Sequence, residues 1–477
     1  MTDSADLLET LVGIVGADNV LTAPEDVSRF CADWRGRYQG RARAVVRPDS
    51  TDAVSAAVTA CAVRRVPMVP QGGNTGLCGG ATPSVGGDEI VISLERMNRV
   101  RHLDRDNQTL TVDAGCTLAA VQAVAAEAGC LFPLSLAAEG SCQIGGNLST
   151  NAGGVHVLRY GNTRDLVLGV EAVLPDGRIW HGLRALRKNN TGYDLKHLFI
   201  GGEGTLGIVT AAVLKLFPAP SGRAVAWVAV AGPAQAVELL GRAKRRCHTQ
   251  LNAFELIGRS ALDLVLKHMP AARPPLAEVP EWSVLIELSG VDDADHLSGR
   301  LEEVLADAIE DCLVLDAAIS RSEAQAEALW QLRENISEAQ RIEGFSIKHD
   351  IALPVSRIVE FLQRAERALA ARFEELRVVA FGHLGDGNLH YNLSAVAGDR
   401  NQAVIARTAE ANRIVHDLVS ELGGSISAEH GLGQLKREEI LRYRDPVETE
   451  LMRAVKAAID PLDLMNPGKL LSLDKRA

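Results

Sequence analysis

EGSCQIGGNLSTNAGG, residues 139–154, is built almost entirely from glycine, small hydroxyl and amide residues, with a single charge at Glu139. Such a run forms neither a core strand nor a favourable helix, yet Ile144 and Leu148 make it too apolar for a disordered linker. Close backbone packing against a large flat ligand accounts for it better.

Two further runs flank it. Gln71-Gly72-Gly73-Asn74-Thr75-Gly76-Leu77-Cys78-Gly79-Gly80 follows the apolar strand Val66 to Pro70 and puts five glycines in ten residues at a strand end. Backbone N–H groups left accessible there can cradle phosphates. Gly201-Gly202-Glu203-Gly204-Thr205-Leu206-Gly207-Ile208-Val209 leads into a strand ending at Phe217-Pro218. None of the three fits Gly-x-Gly-x-x-Gly between strand and helix, or the Gly-x4-Gly-Lys phosphate loop, so a Rossmann domain is disfavoured.

Around these runs the elements alternate. The opening helix (Asp6 to Val15), a strand at Ala44 to Val46 and a helix from Asp49 to Val66 capped by Ser50 or Thr51 come first. Pro218 to Gly222 marks a boundary. Beyond it the order is strand (224–230), helix (234–246), strand (252–257), strand (283–289), helix (292–308), strand (312–317), a ferredoxin-like double βαβ pattern. Helical sequence over 322–343 and 403–422 and a final helix ending near Ile459 complete the chain.

VAFGHLGDGNLHYN (379–392) reads as strand, tight turn and return strand. If Asp386-Gly387 is a two-residue loop, His383 falls opposite His390, with Cβ atoms roughly 5 Å apart, close enough for both rings to reach one metal ion. Asn392 lies on the same face. Taken alone, two such histidines would more often be exposed strand residues.

The chain has 477 residues, 47% hydrophobic and 23% charged, with a formal net charge of -11, which argues against nucleic acid as partner and requires local Arg or Lys for an anionic substrate. Its eight cysteines form no Cys-x-x-Cys, which excludes an obvious cluster or zinc-finger site. No segment reaches the ~18 apolar residues of a membrane span, and the acidic start is unlike a signal peptide, so a cytoplasmic location is expected.

PQGGNTGLCGG (70–80), EGSCQIGGNLSTNAGG (139–154), GGEGTLGIVT (201–210), GHLGDGNLHYN (382–392), SAEHG (427–431) and NPGK (466–469) together resemble the FAD-linked oxidases of the vanillyl-alcohol oxidase type, on the D-2-hydroxyacid dehydrogenase branch. The resemblance covers nearly the whole chain. It implies an α+β protein: a two-lobed FAD-binding domain (1–218), a ferredoxin-like substrate or cap domain (219–410) and a helical C-terminal segment completing the active site (411–477).

It implies cofactor contacts at Pro70, Gln71, Gly72, Gly73, Asn74, Thr75, Gly76 and Leu77 for the pyrophosphate. Glu139, Gly140, Ser141, Ile144, Gly145, Gly146, Asn147, Thr150, Asn151, Ala152, Gly153 and Gly154 would line the ring system and ribityl chain, with Gly204, Gly207, Ile208, Val209 and Asn466 adding to the site. His156 carries no mark of a covalent attachment point, so FAD is expected to be non-covalent. His383, His390 and Glu429 match divalent-metal ligands, and His430 matches the catalytic base, which also contacts substrate. Arg333, Ser337, Lys348 and Asn392 match substrate contacts. Ser337 stands where threonine is typical and keeps the hydroxyl without the methyl that would fix its rotamer.

Two histidines and a carboxylate leave coordination positions open for a substrate and admit Zn²⁺, Mn²⁺ or Fe²⁺, with zinc placed first. The implied reaction is oxidation of a D-2-hydroxy acid to the 2-oxo acid, D-2-hydroxyglutarate to 2-oxoglutarate ahead of D-lactate, glycolate or D-malate. With no nicotinamide motif, electrons would pass to an external acceptor such as an electron-transfer flavoprotein, a quinone or a cytochrome. A homodimer is compatible with the sequence. A flavin- or metal-binding protein without turnover is the alternative from another class.

Overall fold

The computed structural model describes residues 2–374, 376–396 and 401–471. The chain is α+β and divides into two compact units. Unit 1 holds residues 1–154, 161–218 and 429–477; unit 2 holds 155–160 and 219–428.

Among the described residues unit 1 contains two larger sheets and one two-stranded sheet. In the first, β1 (Val20–Leu21), β2 (Ala44–Val46), β3 (Met68–Gln71) and β4 (Ile90–Ser93) lie in the order β1-β2-β4-β3, with β4 parallel to both β2 and β3. Helix Thr51–Val63 connects β2 to β3, and the Ser50 side chain caps it by accepting from the Ala53 N–H. In the second, β5 (Val100–Asp104), β6 (Thr109–Asp113), β8 (Val167–Val173), β9 (Ile179–Gly182) and β10 (Ile208–Lys215) run in the antiparallel order β5-β6-β10-β8-β9, and β7 (Cys130–Leu131) pairs with β11 (Phe217–Pro218). Their core gathers Val46, Met68, Ile92, Ala114, Val173 and Ile208. The last segment returns to this core, where Met68 N–H donates to Leu464 O at 2.7 Å.

The stretch 139–154 departs from the expectation that it would avoid helix. Ile144–Ser149 is a short helix with no side-chain cap. Its opening N–H groups are satisfied from outside instead: Ile144 N donates to Cys116 O (2.9 Å) and Gly145 N to Ala114 O (2.7 Å). Gly145 is required by this approach, because a Cβ there would stand 2.9 Å from the Ala114 Cβ.

Unit 2 is built on one seven-stranded sheet. β12 (Gly222–Val230), β13 (Leu251–Gly258), β14 (Trp282–Gly290) and β15 (Val314–Ile319) take the order β15-β12-β14-β13, with helices Pro233–Cys247 and Ala294–Glu310 in the two crossovers. This is the ferredoxin-like arrangement. The sheet continues through β17 (Leu376–His383), β18 (Asn388–Ala395) and β16 (Asp350–Ala352). The helical stretch expected over 322–343 is two helices, Glu323–Glu334 and Ile336–Glu343, broken at Asn335. Unit 2 extends to Ala428 rather than ending at 410, because Ser425 pairs with Ala352 of β16 and the Ala428 N–H donates to Asp350 O. The final segment from Glu429 belongs with unit 1.

Candidate active site

The hairpin formed by β17 and β18 has a register different from the one the Asp-Gly pair suggests. Phe381, not His383, is opposite His390, and Val379 is opposite Asn392. A two-residue type I′ loop needs positive φ at both central positions. Gly387 has φ 92, but Asp386 is not among the positive-φ residues. The turn therefore takes Leu384 to Gly387, with Gly387 N donating to His383 O at 3.0 Å and Asn388 N to Asp386 Oδ1 at 3.1 Å. The shift is two residues, so it keeps every side chain on its face. His383 and His390 remain neighbours, diagonal instead of opposed, with ring centroids 6.0 Å apart.

Each of these histidines has a buried carboxylate across the sheet. Glu255 of β13 lies opposite His383, and its Oε1 is 2.7 Å from His383 Nδ1. Asp350 of β16 lies opposite His390, with Oδ1 4.0 Å from Nδ1. A carboxylate only accepts, so the Glu255 contact places a proton on His383 Nδ1, and in the neutral form of the ring Nε2 would carry the lone pair. A carboxylate hydrogen-bonded behind a histidine, as Glu255 is behind His383, fixes the tautomer and ring orientation of a metal ligand, whereas Asp350 at 4.0 Å lies beyond hydrogen-bond range of His390. Neither Glu255 nor Asp350 was singled out in the sequence; the available signal was a lone acid inside the apolar strand Leu251-Asn252-Ala253-Phe254-Glu255-Leu256-Ile257.

Glu255 also holds Arg333. The Arg333 Nε and Nη2 both reach Glu255 Oε2 at 2.8 Å, and the guanidinium lies 4.9 Å from the Phe381 ring centroid. Burial alone would raise the Glu255 pKa, but the charges and hydrogen bonds of His383 and Arg333 outweigh it and hold the carboxyl at about 2. Arg333 is therefore a buried, paired cation and not a solvated helix charge. One turn earlier on the same helix, Trp330 Nε1 donates to buried Glu287 at 2.7 Å. Together the two contacts fasten this helix to the sheet face that carries the histidines.

The other substrate-type residues sit nearby in unit 2. Asn392 is buried with both ends of its amide engaged: Oδ1 accepts from the His349 N–H (3.2 Å) and Nδ2 donates to Gln340 Oε1 (3.0 Å). Lys348 is half-buried beside the bridge of Ile347 to Leu393. Ser337 is exposed in the first turn of helix Ile336–Glu343. Glu429 and His430 are the first two residues of the last unit 1 segment, one peptide bond past Ala428.

In unit 1 the three glycine runs converge. A Cβ on Gly73 would meet Ser141 O at 2.0 Å, so the first and second runs pack backbone to backbone. Asn466 joins the first and third, its Nδ2 donating to Gly80 O (2.9 Å) and Glu203 O (2.8 Å) and its N–H to Met68 O (2.7 Å). Lys456 anchors that corner through Thr205 O, Met465 O and Asp460. Gln71 Nε2 donates to Phe30 O and Ala81 O, and Asn74, in a left-handed conformation, donates to Ala32 O.

A cavity of about 470 Å³ opens between the first and second runs, lined by Gln71, Gly72, Gly73, Asn74, Ser141 and Gln143 together with Arg29, Trp34 and the carboxylates Asp33 and Glu95. Gln143 Oε1 and Asn466 Oδ1 are buried acceptors with no protein partner, and a Cβ on Gly76, Gly140 or Gly146 would meet nothing within 4 Å. Orphaned polar atoms and empty room beside the backbone fit a dinucleotide whose own polar groups complete them. Ile144, Ile208 and Val209 are core residues, so what they offer a cofactor is backbone. His156 lies in unit 2, 3.8 Å from Glu287.

Comparison with known proteins agrees with this architecture. Residues 219–470 match the family FAD linked oxidases, C-terminal domain, and residues 42–182 match the FAD binding domain family. The chain belongs to the FAD-linked oxidase family and is an FAD-dependent oxidoreductase. It is 39% identical over 459 residues to the mitochondrial D-2-hydroxyglutarate dehydrogenase of Arabidopsis thaliana, covering 96% of this chain and 80% of that one. It is also 39% identical over 475 residues to the D-2-hydroxyglutarate dehydrogenase of Xanthomonas citri pv. viticola, covering 98% and 97%. Among solved structures, p-cresol methylhydroxylase with substrate bound superposes with a TM-score of 0.79 at 17% identity, over 100% of this chain and 98% of that one. That likeness is one of fold.

Proposed function

We propose that this protein oxidises D-2-hydroxyglutarate to 2-oxoglutarate, with a divalent cation held by His383, His390 and Glu429. The names borne by its relatives support the substrate. The observation that carries the metal is the buried carboxylate of Glu255 hydrogen-bonded behind His383, whose ring lies 6.0 Å from that of His390. With Nδ1 donating to Glu255, a neutral His383 would present Nε2 to the cation.

The reaction breaks two bonds of the alcohol, O–H and C–H, as the C–O bond becomes a carbonyl. The hydroxyl proton passes to a ring nitrogen of His430, and the carbon-bound hydrogen leaves with its electron pair. FAD held by the glycine runs of unit 1 would supply the two-electron acceptor for that hydride, and the electrons would then pass to an external acceptor. A divalent cation at such a site lowers the pKa of a bound hydroxyl, as it takes water from about 16 to roughly 7. Arg333 has two of its five N–H groups on Glu255 and turns the remaining edge to a substrate carboxylate, joined by Lys348 and the Ser337 hydroxyl. Glu255 keeps that guanidinium in place, so substrate alignment and ligand alignment share one anchor. Asn392, engaged with His349 and Gln340, holds the strand beneath the substrate.

Anaerobic mixing of the holoenzyme with a panel of hydroxy acids tests the substrate. D-2-hydroxyglutarate should bleach the flavin absorbance faster than D-lactate, glycolate or D-malate. Faster bleaching by D-lactate would overturn the choice of a dicarboxylate.

A further inference from the structure

The third glycine run contains one residue that none of its glycines explains. Glu203 is 9% exposed, has φ 49, and its two carboxylate oxygens accept from two successive backbone N–H groups: Leu432 N to Oε1 at 2.8 Å and Gly433 N to Oε2 at 2.7 Å. Only a carboxylate offers two acceptor atoms in this spacing. Two neighbouring positions are shaped to it. A Cβ on Gly431, which has φ +72, would stand 2.8 Å from Glu203 Oε1, and a Cβ on Gly80 would stand 3.5 Å from Oε2.

The segment it grips has no regular structure of its own. From Ile426 to Glu438 the chain is neither helix nor strand. Besides the Glu203 bonds, it is held within unit 1 by Cys78, whose carbonyl accepts from Gln434 N at 2.9 Å, and by Leu470 N, which donates to Gly433 O at 3.1 Å. Gly433, at φ +50, has Cys78 O only 2.2 Å from where a Cβ would be. Glu429 and His430 lie three and two residues before Leu432, so they stay within roughly 11 Å of the Leu432 amide and roughly 14 Å of the Gly433 amide. Burial raises the Glu203 pKa and the Leu432 and Gly433 N–H groups oppose that rise; in its ionised form the carboxylate accepts from them in charge-assisted bonds, among the stronger ones a loop can receive.

We propose that Glu203 is the positioning residue for Glu429 and His430, fixing the strap that presents the third metal ligand and the base. The inference rests on the metal-assisted reading above. It ties the run that carries Gly204 and Gly207 to the strap, so one buried side chain serves both the cofactor loop and the ligand loop.

The test compares wild type with Glu203→Gln, which keeps the shape and removes one acceptor. FAD content, melting temperature, Zn²⁺ affinity by chelator competition and kcat at low and saturating Zn²⁺ are measured on the full-length holoenzyme. The expected result is a folded variant with bound FAD, Zn²⁺ affinity weakened roughly 10- to 100-fold, and turnover partly restored by saturating Zn²⁺. Wild-type Zn²⁺ affinity and kcat in the variant would overturn the proposal, as would loss of FAD with Zn²⁺ affinity unchanged. Should the variant fail to fold, hydrogen exchange on wild type decides: Leu432 and Gly433 amides should be protected ~100-fold or more over free-peptide rates, and unprotected amides would refute the grip. Wild type that binds no Zn²⁺ at all would instead refute the metal reading, and the inference with it, whatever Glu203 does to the strap.

Discussion

Glu255 and His383 face each other across paired strands with 2.7 Å between Oε1 and Nδ1, while the second oxygen of Glu255 binds Arg333. One buried carboxylate thus sets the direction of a ligand candidate and of a substrate-binding candidate. Replacing Glu255 by Gln leaves the guanidinium without its counter-charge and lets the ring turn. The expected outcome is a loss of metal affinity of roughly 10- to 100-fold together with a destabilisation of about 3–5 kcal/mol. Chelator competition and chemical denaturation read the two effects separately.

His383→Ala removes a ligand candidate that lies in unit 2. The protein should keep its yellow FAD spectrum and lose turnover, and EDTA should do the same to wild type. A variant with intact turnover but a lower melting temperature would assign His383 to the core instead.

Gly73 and Gly146 separate folding from cofactor binding within the glycine runs. A methyl group on Gly73 collides with Ser141 O at 2.0 Å, so Gly73→Ala should lower both the melting temperature and FAD retention. At Gly146 a Cβ meets no protein atom, so Gly146→Ala should melt like wild type. If FAD packs against it, overpacking of about 1–3 kcal/mol, or roughly 5- to 150-fold, should appear in the FAD dissociation constant alone.

Glu343 supplies a pH signature in unit 2. Burial would raise its pKa, but bonds from Arg377 (2.7 Å), Lys267 (2.6 Å) and His268 (2.5 Å) hold it at about 2, against about 4.3 for a free glutamate. A folded pKa below the unfolded one gives stability that is present above pH ~4.3 and disappears as pH falls through about 2. The melting temperature of Glu343→Gln should therefore lie below that of wild type at pH 7, and the gap should close toward pH 2. A gap that is constant with pH would assign the effect to packing.

Much of this was legible because it is local. The glycine runs, the ferredoxin-like order of strands and helices and the pairing of His383 with His390 on one face all follow from short-range spacing. The register of the hairpin was not, since Asp-Gly signals a two-residue loop only when both residues accept positive φ, and here Gly387 alone does. The short helix at Ile144–Ser149 was hidden for another reason: its stabilising acceptors, Ala114 O and Cys116 O, lie some 30 residues upstream and leave no mark in the local composition. Glu255 is 128 residues from His383 in sequence and only sheet topology brings them together.

The most direct test of the account is anaerobic flavin reduction by D-2-hydroxyglutarate before metal stripping, after it, and after Zn²⁺ or Mn²⁺ is restored. The account predicts rapid bleaching, then loss of bleaching with FAD still bound, then recovery. Bleaching at the full rate in the stripped holoenzyme would contradict it.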